Sequence, residues 1–155
     1  MVLHIILEKL RENIDDPRSS LRTSKEQFID TKHPRFVKTY PYIHVALLNE
    51  TYTNNTIGSQ RLRSTERIAV NIYVPRNQNK TYNEALEKEQ GSDELLDTLK
   101  INVLDVITSE AENIIIESLD ELWSVRPVDM RRVATRDKLL RYEVEIESIK
   151  VKGNP

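Results

Sequence analysis

The sequence predicts an α+β domain: an antiparallel or mixed four-stranded sheet with an N-terminal helix and a long amphipathic helix packed on one face, in the order α-β-β-α-β-β. Three observations carry that expectation. Within 64–75, Ile68, Val70, Ile72 and Val74 alternate with Arg67, Ala69, Asn71 and Tyr73, the period of a strand with one buried face. Between 92 and 107, Leu95, Leu96, Leu99, Val103, Val106 and Ile107 share one helical stripe. Near the C-terminus Leu140, Tyr142, Val144 and Ile146 alternate with Arg141, Glu143, Glu145 and Glu147.

Taken in order, Leu3, Ile6, Leu7, Leu10 and Ile14 predict a helix over 2–14, which ends before Pro17 because the residue preceding proline avoids the α region. The polar segment 17–40 reads as a pinned loop anchored by Leu21, Phe28, Ile29, Phe36 and Val37, with one helical turn near 24–29. Pro41 opens a strand with Ile43, Val45 and Leu47 on one face. The connection 49–63 makes it a hairpin with the 64–75 strand, ended by Pro75, which cannot donate to a ladder. Thr81 and Glu84 have the spacing of a capping box, predicting a short helix to residue 90 that stops at Gly91. Ser92 is placed as the cap of the long helix, with Asp93 and Glu94 at its positive end. The apolar run 114–123 is ambiguous between helix and strand. A third strand is expected over 123–130, at an edge because of Pro127. Ile149 and Val151 break the phase of the last strand and predict a bulge.

At 155 residues the chain reads as one domain spanning 1–155, without internal repeats. Apolar residues are 38% and charged residues 31%, a balance that suggests an open surface or burial completed by partner subunits. Net charge is −2, which lacks the basic excess of a dedicated nucleic-acid binder. With no cysteine, disulfides and thiolate zinc sites are excluded. The N-terminal apolar run meets Glu8 too early for a secretory signal, and no run approaches a membrane span, so a cytosolic site of synthesis is expected. Asn-X-Thr matches at Asn49, Asn54 and Asn79 are then fortuitous.

No catalytic or cofactor site is expected. His4, His33 and His44 lack metal-ligand spacing, and the three glycines offer no phosphate loop. The strongest enzymatic alternative is a metal-dependent nuclease using Glu143, Glu145 and Glu147. They share one strand face, but alternation alone explains them as its wet side. Charge segregation says more. Glu84, Glu87, Glu89, Asp93, Glu94 and Asp97 form an acidic stretch, and Arg126, Arg131, Arg132, Arg136 and Arg141 a basic one. Opposite patches on one molecule suit head-to-tail contact between identical copies, which makes a ring when the rotation closes. The alternative, that the basic stretch meets nucleic-acid phosphates, has no aromatic-interleaved or groove-reading motif beside it.

The order of helix, Pro-Tyr-Ile-His-Val strand (41–45), long loop, 67–74 strand, capped amphipathic helix and two final strands resembles the tail terminator (tail-completion, head–tail joining) proteins of tailed bacteriophages and archaeal tailed viruses. The similarity spans about residues 2–151 in element order. It implies a non-enzymatic virion protein, made in the host cytoplasm and located in the tail or neck. Such a protein forms a homo-oligomeric, hexameric ring that caps the tail tube and joins it to the neck or connector. It implies no membrane partner and no specific nucleic acid, although DNA passes through such a ring. Its tube and neck contacts map onto Thr53, Asn54, Asn55, Ile57, Arg61 and Arg63, and loosely onto 17–40. The length of 17–40 also fits another neck or head–tail joining role, and a non-viral adaptor domain of similar α+β build is a third class.

Overall fold

The computed structural model describes residues 2–54, 62–77, 79–135 and 138–152. In chain order its elements are α1 (Val2–Asn13), β1 (Ile29–Asp30), β2 (Tyr42–Asn54), β3 (Leu62–Pro75), β4 (Thr81–Asn83), β5 (Lys88–Gln90), α2 (Ser92–Asp105), β6 (Asn113–Ile116), β7 (Glu121–Val133) and β8 (Leu139–Lys152). Six strands form one sheet in the order β1-β2-β3-β8-β7-β6, curled into a half-barrel, while β4 and β5 pair separately. Only the two-residue β1 runs parallel to its neighbour; every other pairing is antiparallel.

The expected four-stranded α+β sheet under a long helix is therefore wrong. Strand makes up 44% of the protein, with two α-helices among the described residues. The physical reason lies in strand length. β2, β3, β7 and β8 each run 13 or 14 residues, because Thr, Ser, Asn and Arg positions that read as loop pair across hairpins. Backbone pairing needs no apolar side chain, so hydropathy ended β2 and β7 short of Asn54 and Val133. Strand β3 ends at Pro75 as expected; β1 and β6 are the two sheet strands that went unread.

Ile68, Val70, Ile72 and Val74 of β3 are fully buried, and Val144 and Ile146 of β8 join them. Each such side chain contributes about 1.5–3 kcal/mol by leaving water. Helix α1 adds Val2, Ile6, Leu7 and Leu10 to the same cluster, and α2 adds Leu95, Leu96, Leu99 and Val103. A π-helical turn, Val106–Glu110, prolongs α2 and buries Val106 and Ile107. None of these described helices is long and apolar enough to cross a membrane.

Several local expectations change. Residues 81–90 form the β4–β5 hairpin rather than a helix, because Asn83 Oδ1 accepts from the amides of Ala85 and Leu86 at 3.0 and 3.2 Å and turns the chain. Glu84, expected to close a capping box, is instead drawn to Ser20. Ser92 does not cap α2; its hydroxyl donates to Pro75 O at 2.7 Å and the N-cap position is Gly91. The ambiguous run resolves into β6 followed by a 3-10 turn, Glu117–Leu119. Strand β7 is an interior strand only where β6 covers it, at 121–124. Beyond that it is an edge, and Pro127 lies there. The register of β8 with β3 is unbroken from Leu139 to Ile149, while its register with β7 slips at Val151.

The segment 17–41 is a strap made of three 3-10 turns and β1. One buried ion pair clamps it: Arg22, over the Phe28 ring at 5.0 Å, donates to Asp16 and to Pro41 O, with the pair's side chains 1% and 5% exposed. Removing one member of such a pair strands a buried charge. Asp16→Ala should lower unfolding free energy in urea by about 3–5 kcal/mol. Asp16→Asn, which keeps an acceptor for Arg22, should lose less.

Candidate interaction surfaces

Because side chains alternate along a strand, the face opposite the core carries the residues between the buried ones. Cross-strand neighbours there are His44, Asn71, Glu143 and Arg131 in one row, and Arg67, Glu147 and Arg126 in another. Arg67 bonds Glu145 at 3.0 Å and Glu147 at 3.3 Å, and Arg126 reaches Glu147 at 3.1 Å. Glu143 accepts from Arg131 at 3.2 Å and from Arg141 at 3.1 Å, and Arg141 also donates twice to Asn71 Oδ1. Every carboxylate of the sequence-derived nuclease trio is thus held by arginine. The arrangement is an Arg–Glu lattice stitching β3, β8 and β7 together.

The segregated charges also find partners inside one molecule. Arg132 of the basic stretch meets Asp93 of the acidic stretch at 2.6 Å. Glu94 bonds Lys88 at 3.4 Å, Asp97 bonds Lys100 at 3.5 Å, and Glu84 accepts from the Ser20 amide and hydroxyl. Glu87, in the left-handed region at φ 55°, and Glu89 are exposed on the β4–β5 hairpin. Arg136 lies outside the described residues, as do Asn55, Ile57 and Arg61. For Thr53, Asn54 and Arg63 the strand pairing alone is described: Thr53 opposes Arg63, and Asn54 opposes Leu62.

Sequence reasoning placed the 123–130 strand at an edge because of Pro127, but it missed the edge on β2 and the bulges on both. Past residue 44 on β2 and past 124 on β7, no described strand pairs on the outer side. Each edge carries a one-residue register shift, at Leu47/Asn49 in β2 and at Pro127/Asp129 in β7. The extra residues, Leu48 and Val128, turn out to solvent at 50% and 39% exposure, beside exposed Leu47 and Met130. Bulges occur preferentially at such edges and re-aim side chains. Their signal in the sequence was faint, since an apolar residue out of phase looks like an ordinary loss of alternation.

Next to the strap, His44 stacks on Tyr42 and lies 6.2 Å from the His33 ring. Partial burial pushes the His44 pKa below its ordinary value, opposed by a hydrogen bond with Thr31 O and aided by the neighbouring His33. Burial likewise raises the Tyr42 phenol, whose hydroxyl donates to Lys32 O at 2.6 Å.

No protein-family model matches this sequence, and no curated protein matches it.

The lowered His44 pKa means that the unfolded chain takes up this proton more readily than the folded one, so acid favours unfolding. Thermal stability should fall as pH drops through and below about 6.5, the ordinary histidine range. His44→Gln should flatten that limb of the profile in a melting series.

Proposed function

We propose that this protein is a ring-forming structural protein of a tailed virus, a tail terminator that caps the tail tube and joins it to the neck. The observation that carries the reading is the incomplete barrel. Its two edges, each without an outer strand among the described residues, are unlike, and each turns an apolar bulge residue outward: Leu48 with Leu47 on β2, Val128 with Met130 on β7. Unlike surfaces on one molecule join head to tail, and a head-to-tail contact whose rotation closes makes a ring. Pro127 and the neighbouring arginines discourage open-ended strand addition at β7, which favours contact through side chains. The order of the long elements, α1, β2, β3, α2, β7 and β8, adds the resemblance to tail terminators. The pairing of Glu143, Glu145 and Glu147 with arginines supports a structural role for them over the nuclease reading. The ring would sit in the virion, against the tube and the neck or connector.

Light scattering should find an assembly larger than a dimer. Leu48→Asp and Val128→Asp should each break it, because each spoils one of the two unlike edges. A mixture of the two variants should give a heterodimer and nothing larger, since one intact edge remains on each. A wild-type monomer at every concentration, or variants that still form the full assembly, would count against the ring. A tail tube or portal gene beside this one would then place the ring within the virion.

A further inference from the structure

The described cations fall into two groups. Arg67, Arg126, Arg131, Arg132 and Arg141 are paired with carboxylates of the same chain. Among the described residues, Lys9, Arg18, Lys25, Lys32, Arg35, Lys38, Arg76 and Lys80 form no ion pair. Apart from Lys9 on α1 and Lys25, whose ammonium donates to Arg11 O, these uncompensated charges gather at one end of the molecule, where the strap meets the end of β3 and the β4–β5 hairpin. Lys138, also without an ion pair, is beside them, its carbonyl accepting from the Arg76 amide at 2.8 Å.

Two adjoining clefts shape this end. One, of about 640 Å³, is lined by Lys32, Lys38 and Phe36. The other, of about 540 Å³, is lined by Arg18, Lys80 and Tyr82. Leu21 lines both and forms the ridge between them. Each cleft therefore joins two cations to an exposed aromatic ring, Phe36 at 56% and Tyr82 at 52%. The Arg35 guanidinium sits 4.6 Å over the Phe36 ring, and His33 meets its edge. Of the carboxylates in the clefts, Asp30 is paired with Arg11, while Glu26 in one cleft and Glu84, hydrogen-bonded to Ser20, in the other each set one negative charge against two cations.

We propose that this end binds single-stranded nucleic acid, with the phosphates drawn to Arg18, Lys32, Lys38 and Lys80 and unstacked bases laid on Phe36 and Tyr82. Cationic clefts that track a backbone beside exposed rings are the common means of holding a single strand without reading its sequence. An acidic protein would use the cations but leaves the paired aromatics without a role. The proposal rests on charge and exposure at this end and does not require the ring.

Fluorescence anisotropy on the full chain tests it, with labelled oligo-dT and oligo-U of about 20 nucleotides and a duplex of equal length. Binding should be tightest for a single strand and weaken linearly with the logarithm of salt concentration. A ribo- or deoxyribo-oligomer bound more tightly than the duplex supports the proposal and identifies the polymer. Lys32→Gln/Arg35→Gln/Lys38→Gln should cut affinity tenfold or more and reduce the salt slope by about 2. Phe36→Ala and Tyr82→Ala should each lose about fivefold or more and leave the slope unchanged. Arg126→Gln/Arg131→Gln, at exposed but internally paired positions, should bind as the parent does. The proposal is overturned by no binding at low salt or by full affinity in the triple variant. Duplex binding equal to single-strand binding, insensitive to Phe36 and Tyr82, overturns it as well. Unchanged melting curves for the variants exclude misfolding as the cause.

Discussion

Because successive side chains of a paired strand point to opposite faces, the register between β3 and β8 decides at once what enters the core and what faces solvent. From Thr65–Ile149 to Pro75–Leu139 that register does not slip. It stacks Ile68 on Ile146 and Val70 on Val144 beneath the helices, and on the other face sets Arg67 against Glu147 and Asn71 against Glu143. A shift of one residue would bury the Arg–Glu lattice and expose the core. Everything peripheral is placed relative to this pair: β2 on one side with its bulged edge, β7 on the other with its own.

The strap shows how a polar segment is ordered without an apolar run. Phe28 and Ile29 are buried, but much of the remaining order comes from Arg22, which ties Asp16 to the backbone at Pro41, and from Arg11, which bonds Ile29 O and Asp30. The clamp holds the strap at a desolvation cost, since the buried Arg22 Nε finds no partner while its other nitrogens meet Asp16, Thr39 O and Pro41 O. By fixing 16–41, it also fixes where Lys32, Arg35 and Lys38 emerge, and so where the molecule's uncompensated positive charge resides.

Charge was the least legible property. In sequence, 126–141 is the basic stretch and 84–97 the acidic one. In three dimensions most of those arginines answer Glu143, Glu147 or Asp93 of the same chain. Exposed pairs of this kind contribute little stability each, yet they cancel the field that an isolated patch would project. Most of the cations left over lie at 18, 32, 35, 38, 76 and 80, in segments whose composition looks only mildly basic. Lys-His-Pro-Arg-Phe-Val-Lys, 32–38, was nevertheless readable as cations interleaved with an aromatic ring.

By itself the sequence determined the elements whose side chains repeat with a clear period: α1, the stripe of α2, and the cores of β3 and β8. Periodicity is a local property and survives in one dimension. Only the tertiary structure decided how far β2 and β7 extend, the conversion of 81–90 from helix to hairpin, the pairing of β1 and β6, and the bulges on the two edges. Those outcomes depend on which backbone groups find partners far along the chain, as with Glu84 turning to Ser20 and Ser92 to Pro75. The same dependence on distant partners decided which charges are spent within the molecule and which remain to meet another one.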